Sequence, residues 1–325
     1  MARKENSHPD FILASIIASL IIFGILILAS VSIALSFKKY GNPYYFINHQ
    51  IIFGLLPGLI MAVAAYKVDL LWLKKITPVL FFLNLAVLFL VFIPHLNTGL
   101  RGVSRWISLG PFTFQPSEFL KLTIVLYLAA WLASRLDATF KKSKNVHFRE
   151  ITVTFFSFLI VIGITSVLLI LQPDITTLGI IVFAGIIMYF FSSTPFWHFG
   201  LIILTGVASL FALIKLEPYR MARLLVFLQP DTDPMGIGYQ IKQSLIAIGS
   251  GGISGVGFGM SRQKFGFLPQ PMSDSIFAVL SEEGGFIAGL VLTLVFLLFL
   301  WRVLRLVKTS PDKFYQLTAA GIGVW

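Results

Sequence analysis

The chemistry of this sequence centres on ionisable side chains at the ends of apolar runs. Asp274 stands just before an apolar run that begins at Ile276, within the stretch "SRQKFGFLPQPMSDSIFAVLSEEGG". A carboxylate in that position could cap the helix, take a proton from a hydroxyl group or ligate a hard cation such as Mg²⁺. The residues alone leave these three roles open.

Two other motifs place charge inside or between apolar runs. In "QPSEFLKL", Glu118 and Lys121 are three positions apart, so they are neighbours on one helical face. In "LQPDITT", Asp174 follows a proline between two apolar runs. Ionisable groups within a membrane are costly and are candidates for function. The simpler interpretations are an intrahelical ion pair for Glu118 and Lys121 and an ordinary Pro-Asp turn for Asp174.

Cationic side chains form the remaining candidates. Arg105 precedes Trp106 in a Gly-containing segment, where the pair could stack on a sugar or bind an anionic head group. The alternative is an interfacial Trp anchor. Arg220 and Arg223 in "PYRMAR" are spaced for one helical face. Two such cations suit a phosphate or pyrophosphate, and a solvated helical face is the alternative.

The composition identifies the environment of these residues. The chain has 325 residues, of which 57% are hydrophobic and 12% charged, whereas soluble domains carry roughly 25% charged residues. We therefore expect an all-α polytopic membrane protein. The absence of cysteine excludes disulfides and thiolate metal sites. The net charge of +11 is spread between apolar runs, which argues against a nucleic-acid partner.

Apolar runs define the expected membrane spans. A helix needs about 20 apolar residues to cross a bilayer. The runs that qualify are approximately 11–36, 46–66, 76–93, 117–134, 150–171, 175–191, 196–214 and 275–301. A ninth run begins near Phe314 and stops at Trp325, so we interpret the chain as truncated within its ninth helix.

The distribution of Lys and Arg predicts the orientation. These residues concentrate in the short loops on the side of the N-terminus, which is therefore expected to be cytoplasmic. The long segment 215–274 then faces outward, and loops of that length are generally functional or disordered. Within it, "YQIKQSLIAIGSGG" predicts a short amphipathic or re-entrant helix that ends at glycine. We expect residues 1–325 to form a single membrane domain with this extracytoplasmic loop.

Four long motifs resemble those of a known family. They are "GVSRWISLGPFTFQPSEFLKL", "LQPDITT", "PYRMARLLVFLQPDTDPMGIGYQIKQSLIAIGSGG" and the stretch around Asp274 quoted above. Together they resemble the SEDS family of FtsW, RodA and SpoVE, and the division members, FtsW, more than the elongation members, RodA. The resemblance covers nearly the whole chain. It implies a bundle of ten helices, of which about eight and a half are present here.

The resemblance also implies an activity. Members of this family are peptidoglycan glycosyltransferases that polymerise lipid II into β-1,4 glycan strands at the outer face of the bacterial cytoplasmic membrane. The implied partners are lipid II, the nascent strand, a class B penicillin-binding protein transpeptidase and other divisome membrane proteins at the septum. A divalent cation, Mg²⁺ or Mn²⁺, is an open possibility as cofactor.

Family positions transfer to individual residues. The essential aspartate matches Asp274, which is expected to be the catalytic base. Positions expected to bind substrate match the following residues: Arg105, Trp106, Glu118, Lys121 and Asp174. Arg220 and Arg223 are added as candidates for the pyrophosphate because of their charge and spacing. Gln270 stands where the family commonly has Glu, which removes one accessory carboxylate.

Two other classes of function compete with polymerisation. Broken helices and intramembrane polar groups also suit a lipid II flippase. A transporter needs polar groups that reach the cytoplasmic side, whereas the candidates here gather in the expected outward half. The third possibility is a scaffold whose outward loops only recruit partners.

Overall fold

The computed structural model is almost entirely helical. It describes residues 10–93, 105–109, 112–139, 144–192, 194–216, 218–229 and 238–325, together with Asp233 and Gly236. Within these ranges the helices are α1 Phe11–Tyr40, α2 Tyr45–Gln50, α3 Leu56–Lys67, α4 Leu70–Leu90, α5 Pro116–Thr139, α6 Lys144–Leu171, α7 Ile175–Phe191, α8 Trp197–Leu216, α9 Pro218–Leu228, α10 Tyr239–Ser250, α11 Ile276–Thr309 and α12 Lys313–Val324. A π-helical segment, Ile51–Leu55, joins α2 to α3.

One small hairpin interrupts the helices. Strands β1, Ile107–Leu109, and β2, Phe112–Phe114, pair antiparallel with Ile107 opposite Phe114. The hairpin leads directly into α5. That helix begins at Pro116, where proline is favoured because the first helical N–H has no partner in the helix.

The structure confirms a multi-pass membrane protein. Among the described residues, six helical spans are long and apolar enough to cross a membrane, and Ile175–Phe191 and Trp197–Ser209 are shorter apolar helices. Together these eight segments coincide with the eight predicted runs. Large apolar side chains such as Ile60 and Phe286 are 70% and 65% exposed, as expected where the surrounding medium is lipid.

The chain divides into two compact units, and each is described by itself. The first unit comprises Met1–Lys67 and Val207–Arg302, and the second comprises Val68–Gly206 and Val303–Trp325. The apolar pattern of the sequence did not indicate this division of the predicted membrane domain into two units.

In the second unit, α5 is the central helix. It packs against α4, α7 and α12. Its buried stripe recurs every four residues at Leu120, Ile124, Leu128 and Leu132, each at most 1% exposed, which is the spacing of one helical face. At Gly321 of α12, an added Cβ would collide with side chains of α5 and α7. Glycine therefore permits the close packing of α12 against this core.

In the first unit, α1 and α11 are joined by an ion pair. Asp10 caps α1 by accepting a hydrogen bond of 3.0 Å from the N–H of Leu13, and Arg302 of α11 donates to the same carboxylate over 2.7 Å. The hydrogen bond from Arg302 lowers the pKa of Asp10 below its ordinary value of 3.8. At its other end, α1 is followed by Gly41, whose φ of 68° is the left-handed conformation typical of a helix C-terminus.

The long segment before α11 is structured where it is described. Helix α9 follows α8 closely, and α10 ends at Ser250, followed by Gly251. The predicted short helix that ends at glycine is therefore confirmed. Residues 251–275 then form a series of turns that return the chain to the start of α11.

Candidate functional site

Asp274 lies in the turn before α11, and its side chain is exposed. The helix begins at Ile276, and the residue before it is Ser275, whose carbonyl accepts from the N–H groups of Ala278 and Val279 over 3.1 and 3.3 Å. Ser275 therefore stands at the position directly before the helix, and capping by Asp274, one of the three roles left open, has no hydrogen bond to support it among the described residues. Within the described part of the chain, the Asp274 carboxylate accepts no hydrogen bond. It is left available for chemistry.

Neighbouring residues hold the turn that carries Asp274. The hydroxyl of Ser275 donates to the carbonyl of Pro269 over 3.0 Å and accepts from the side-chain amide of Gln240 over 3.3 Å. The carbonyl of Gln270 accepts from the N–H of Ser273 over 3.2 Å. The backbone on both sides of Asp274 is therefore hydrogen-bonded, while its carboxylate has no hydrogen-bond partner among the described residues.

A cluster of buried apolar side chains also holds the segment that leads to this turn. Leu268 is 3% exposed, and it belongs to a cluster with Val31, Ala247, Ala278 and Val279. These residues come from α1, α10 and α11 as well as from the turn itself. The position of the turn is therefore tied to three helices of the first unit.

Helix α11 is broken three residues after Glu282. Gly285 has φ of 67° and ψ of −166°, which is not helical. The freed backbone groups pair with the loop that follows α10. Before the break, two helix carbonyls accept hydrogen bonds of 3.0 Å from loop N–H groups: Glu282 from Val256, and Glu283 from Gly257. After the break, two helix N–H groups donate to loop carbonyls: Phe286 to Gly252 over 2.9 Å, and Ile287 to Ile253 over 3.2 Å. Segment 252–257, here called the exchange segment, thus replaces the missing hydrogen bonds of the helix.

Glycine is required at the contact between the exchange segment and α11. Gly255 has φ of 79°, and a Cβ there would collide with the carbonyl oxygen of Glu283. A Cβ on Gly285 would collide with the backbone of Gly255 and Ile253. The glycines in "GSGGISGVGFG" thus allow two backbones to approach within hydrogen-bond distance.

Two buried glutamates hold the residues between the exchange segment and Asp274. Glu282 is 2% exposed and accepts from the backbone N–H of Arg262 over 2.9 Å and from the hydroxyl of Ser261. Glu283 is 6% exposed and lies 2.7 Å from the ammonium of Lys264. The structure thus uses the two acidic residues of α11 to fix the turn 261–264.

The ion pair of Lys264 and Glu283 was not predicted from the sequence. The pair "EE" in an apolar helix was a signal of buried charge, and Lys264 was the nearest basic residue in a motif already singled out. Ser30 of α1, whose hydroxyl lies 2.6–2.7 Å from both carboxylate oxygens of Glu283, gave no such signal.

In the second unit, Arg105 and Asp174 lie at the same turn. The Nε of Arg105 donates to the carbonyl of Gln172 over 3.1 Å, and its Nη2 donates to the carbonyl of Pro173. Asp174 is 4% exposed and accepts from Ser117 over 2.9 Å. It also caps α7 through the N–H of Thr177. The interpretation of Asp174 as turn chemistry is confirmed.

Glu118 and Lys121 form the intrahelical ion pair that their spacing predicts. The ammonium of Lys121 lies 2.9 Å from Glu118, whose side chain is 50% exposed, whereas that of Lys121 is 9% exposed. Lys121 also lies 5.0 Å from the ring centre of Trp325. Because Ser117 contacts Asp174, the first turn of α5 brings this pair into the neighbourhood of Arg105 and Asp174.

For the remaining candidates, Trp106, Arg220 and Arg223, the structure gives a position in the fold but no contact with a substrate. Trp106 follows Arg105 and is 43% exposed. Arg220 and Arg223 both lie on α9, three residues apart, as their spacing predicts. The side chain of Arg223 is exposed, and that of Arg220 lies outside the described part. Substrate binding by these residues stays a prediction.

Metal-binding side chains do not gather in the described residues. Among them, no three His, Asp or Glu side chains are placed to hold one metal ion. Asp274 could supply a single oxygen ligand, which fits Mg²⁺ held mainly by substrate phosphates and water rather than by a protein cage.

Comparison with known proteins identifies relatives over the whole chain. A family model described as "Cell cycle protein", that of FtsW, RodA and SpoVE, matches residues 11–325. The chain is 37% identical to a probable peptidoglycan glycosyltransferase FtsW of Nitrosococcus halophilus, covering 99% of this chain and 81% of that protein. It is 36% identical to the stage V sporulation protein E of Bacillus subtilis, covering 99% of this chain and 85% of that protein.

Solved structures show the same fold. A chain from a peptidoglycan synthase complex, studied for the coordination of polymerization and crosslinking, matches with a TM-score of 0.70 and 26% identity over 97% of this chain and 82% of that chain. The rod shape determining protein RodA of Thermus thermophilus matches with a TM-score of 0.63 at 23% identity, over 97% of this chain and 80% of that chain. That second likeness concerns the fold alone. The protein described here is thus a member of the family of FtsW, RodA and SpoVE, the SEDS family.

Proposed function

We propose that this protein is a peptidoglycan glycosyltransferase that polymerises lipid II into β-1,4 glycan strands. Family membership supports the activity, because relatives that align over 99% of the chain are named as probable peptidoglycan glycosyltransferases. The observation that supports Asp274 as the catalytic residue is the exposure and hydrogen bonding of its side chain. Its carboxylate is exposed and has no hydrogen bond within the described chain, while the backbone around it is held by several.

Asp274 acts in this proposal as the general base. It takes the proton of the acceptor 4-hydroxyl as that oxygen attacks the anomeric carbon of the donor. The new carbon–oxygen bond forms as the bond between the anomeric carbon and the pyrophosphate oxygen breaks, and the lipid pyrophosphate leaves with its electron pair. In-line attack on an α-linked donor gives a β-linkage, so the reaction is inverting.

The departing pyrophosphate requires cationic partners. Lys121 is buried beside Glu118 on α5 and offers one of the charges. Arg105 commits two of its five N–H donors to backbone carbonyls in the described contacts. The other donors of its guanidinium suit a phosphate oxygen. Arg220 and Arg223 on α9 are the further candidates, supported by their spacing.

A divalent cation remains part of the proposal. Mg²⁺ or Mn²⁺ would neutralise charge on the pyrophosphate when bound. Asp274 is the described residue that would contribute a ligand. No other role is assigned to the ion.

Family membership supports the proposed cellular setting, and the distribution of Lys and Arg supports the proposed orientation. The proposed location is the bacterial cytoplasmic membrane at the division septum, with the N-terminus in the cytoplasm and Asp274 at the outer face. The proposed partner is a class B penicillin-binding protein transpeptidase, supported by the likeness to a chain of a peptidoglycan synthase complex. Other divisome membrane proteins are expected to bind the same assembly.

Synthesis of glycan strands from purified lipid II tests the function. The protein is incubated with lipid II and its transpeptidase partner in detergent, and the products are resolved on a gel. Strands are expected from the native protein, and Asp274→Asn is expected to make none. The matched control is Asp69→Asn, which removes one exposed carboxylate and retains a residue able to cap α4. That control should retain full activity.

The same experiment separates the competing functions. Full strand synthesis by Asp274→Asn would reject its role as base. If neither the native protein nor Asp274→Asn makes strands, but both move labelled lipid II across the membrane of vesicles, the flippase interpretation holds instead. If Asp274→Asn abolishes strands in the assay yet supports division in cells, scaffolding is the function that cells require.

A further inference from the structure

We propose that Lys264, through its buried ion pair with Glu283, is a positioning residue for Asp274. This inference rests on the proposed function, since it concerns how the catalytic base is held. Lys264 lies in the turns between α10 and α11, ten residues before Asp274, and it is 3% exposed.

The ammonium of Lys264 is fully coordinated by protein. It lies 2.7 Å from Glu283, 2.8 Å from the carbonyl of Gly259, and 3.1 and 3.2 Å from the hydroxyl and carbonyl oxygens of Ser30. An ammonium has three N–H donors, so these acceptors satisfy it. The contacts join three separate pieces of chain: α1, the turns after the exchange segment, and α11.

The second glutamate fixes the other side of the same turn. Glu282 accepts from the backbone of Arg262 and from Ser261, and Ser261 in turn accepts from the N–H of Lys264 over 3.3 Å. The N–H of Leu268 then donates to the carbonyl of Gln263 over 2.9 Å. A continuous path of bonded residues therefore runs from the ion pair to Leu268, the apolar anchor of the turn that carries Asp274.

Asp274 depends on this path because no described residue holds its carboxylate by a hydrogen bond. With no hydrogen bond to its carboxylate among the described residues, its location is set by the backbone alone. A shift of about 1 Å in a reacting group can lower a rate on the order of a hundredfold. The residues that fix the turn are therefore expected to act on the rate of the chemical step.

A buried ion pair is in general a weak source of stability. Burying two charges is costly, and a buried pair can often be replaced by apolar residues without loss of stability. An apolar pair would fill the same space without specifying one geometry. Directional bonds from one ammonium to three segments of chain do specify it. Precise geometry is the property that an unbonded catalytic carboxylate requires.

Two variants separate positioning from stability. Lys264→Met leaves Glu283 buried and unpaired, so both the apparent melting temperature and kcat should fall. In Lys264→Met/Glu283→Gln the unpaired charge is removed. We expect its melting temperature to return to within about 2 °C of the native value, while kcat for lipid II stays about ten- to a hundredfold low and KM changes less than about twofold.

The ion pair of Asp10 and Arg302 provides the matched control. It links the start of α1 to α11, two elements that Lys264 also contacts, over the same distance of 2.7 Å as the Lys264–Glu283 pair, but it lies far along α11 from the turn. Asp10→Asn/Arg302→Met should leave kcat within about twofold of the native value. Recovery of kcat in Lys264→Met/Glu283→Gln, or an equal loss in the control, would overturn the positioning role.

A spectroscopic measurement tests the position itself without relying on activity. The chain has no cysteine, so Asp274→Cys provides a unique attachment point for a nitroxide spin label. The label should be more mobile in the Lys264→Met/Glu283→Gln background than in the native background, and unchanged in the control background. Equal mobility in all three would reject the inference, even if Asp274 proves to be the base. Conversely, full activity of Asp274→Asn would reject the base and leave this measurement interpretable.

Discussion

The hydroxyl of Ser117 donates a hydrogen bond of 2.9 Å to the carboxylate of Asp174 and so joins the first turn of α5 to the turn before α7. Asp174 also accepts from the side-chain amide of Gln115 over 3.1 Å and from the N–H of Thr177 over 3.3 Å. It is therefore a helix cap and a link between helices at once. The carboxylate that the family resemblance implies for substrate binding is thus already hydrogen-bonded within the protein.

Two substitutions at Asp174 should separate the contribution of its hydrogen-bonding oxygen to stability from that of its negative charge. Asp174→Ala removes the cap and leaves Ser117 without its acceptor, so the second unit should be destabilised by about 2 to 3 kcal/mol. Asp174→Asn keeps a capping oxygen and should cost less than about 1 kcal/mol. Thermal unfolding in detergent measures both. If Asp174→Asn unfolds as early as Asp174→Ala, the charge itself stabilises the turn.

Glycines of the exchange segment should differ sharply in their tolerance of alanine. Gly255→Ala should be severely destabilising, about 3 kcal/mol or more, because its Cβ would push the carbonyl of Glu283 away and break neighbouring backbone bonds. Gly252 has φ of 54° but open space around a Cβ. Gly252→Ala should therefore cost only the left-handed strain of about 1 to 2 kcal/mol. Similar melting temperatures for the two variants would contradict this account.

Acid should weaken the ion pair of Asp10 and Arg302. The hydrogen bond from Arg302 lowers the folded-state pKa of Asp10 below 3.8, its ordinary value. The carboxylate thus contributes stability that is fully present above pH 3.8 and is lost as the pH falls through the folded-state pKa. Asp10→Asn has no such group to titrate. The melting temperature of the native protein should fall more steeply below pH 3.8 than that of Asp10→Asn, and parallel curves would refute the assignment.

Loss of Glu118 should affect stability little. Its side chain is 50% exposed, and its partner Lys121 is three residues away on the same helix. Pairs at this helical spacing contribute about 0.5 kcal/mol or less, and a glutamine carbonyl at this position can still accept a hydrogen bond from the buried Lys121 ammonium. Glu118→Gln should therefore melt close to the native protein. Any large fall in strand synthesis by this variant would then report a role in substrate binding, whereas normal synthesis would assign the pair to the helix surface.

Much of the fold could be predicted because its signals are local. Each span is a run of apolar residues, and α10 ends at Ser250, where a glycine-rich stretch begins. The pairing of Glu118 with Lys121 follows from helical geometry alone. Asp174 likewise follows a proline at a gap between two apolar runs, which indicates a turn.

The relationships that were missed are nonlocal. Ser30 and Glu283 are 253 residues apart in sequence, and no periodicity connects them. Asp274 and Ser275 stand side by side before the helix, and both residue types are good caps, so the local pattern cannot choose between them. Tertiary bonds to Pro269 and Gln240 place Ser275, and these bonds cannot be inferred from a local pattern.

The exchange of backbone hydrogen bonds at Gly285 makes α11 and segment 252–257 mutually dependent. Lifting the segment would leave two helix carbonyls and two helix amides without partners together, and each buried polar group left unpaired costs about 1 to 3 kcal/mol. Partial release therefore gains nothing. Movement at this end of the helix should be all-or-none, so a ligand that loosened the loop would act as a two-state switch and not as a graded hinge.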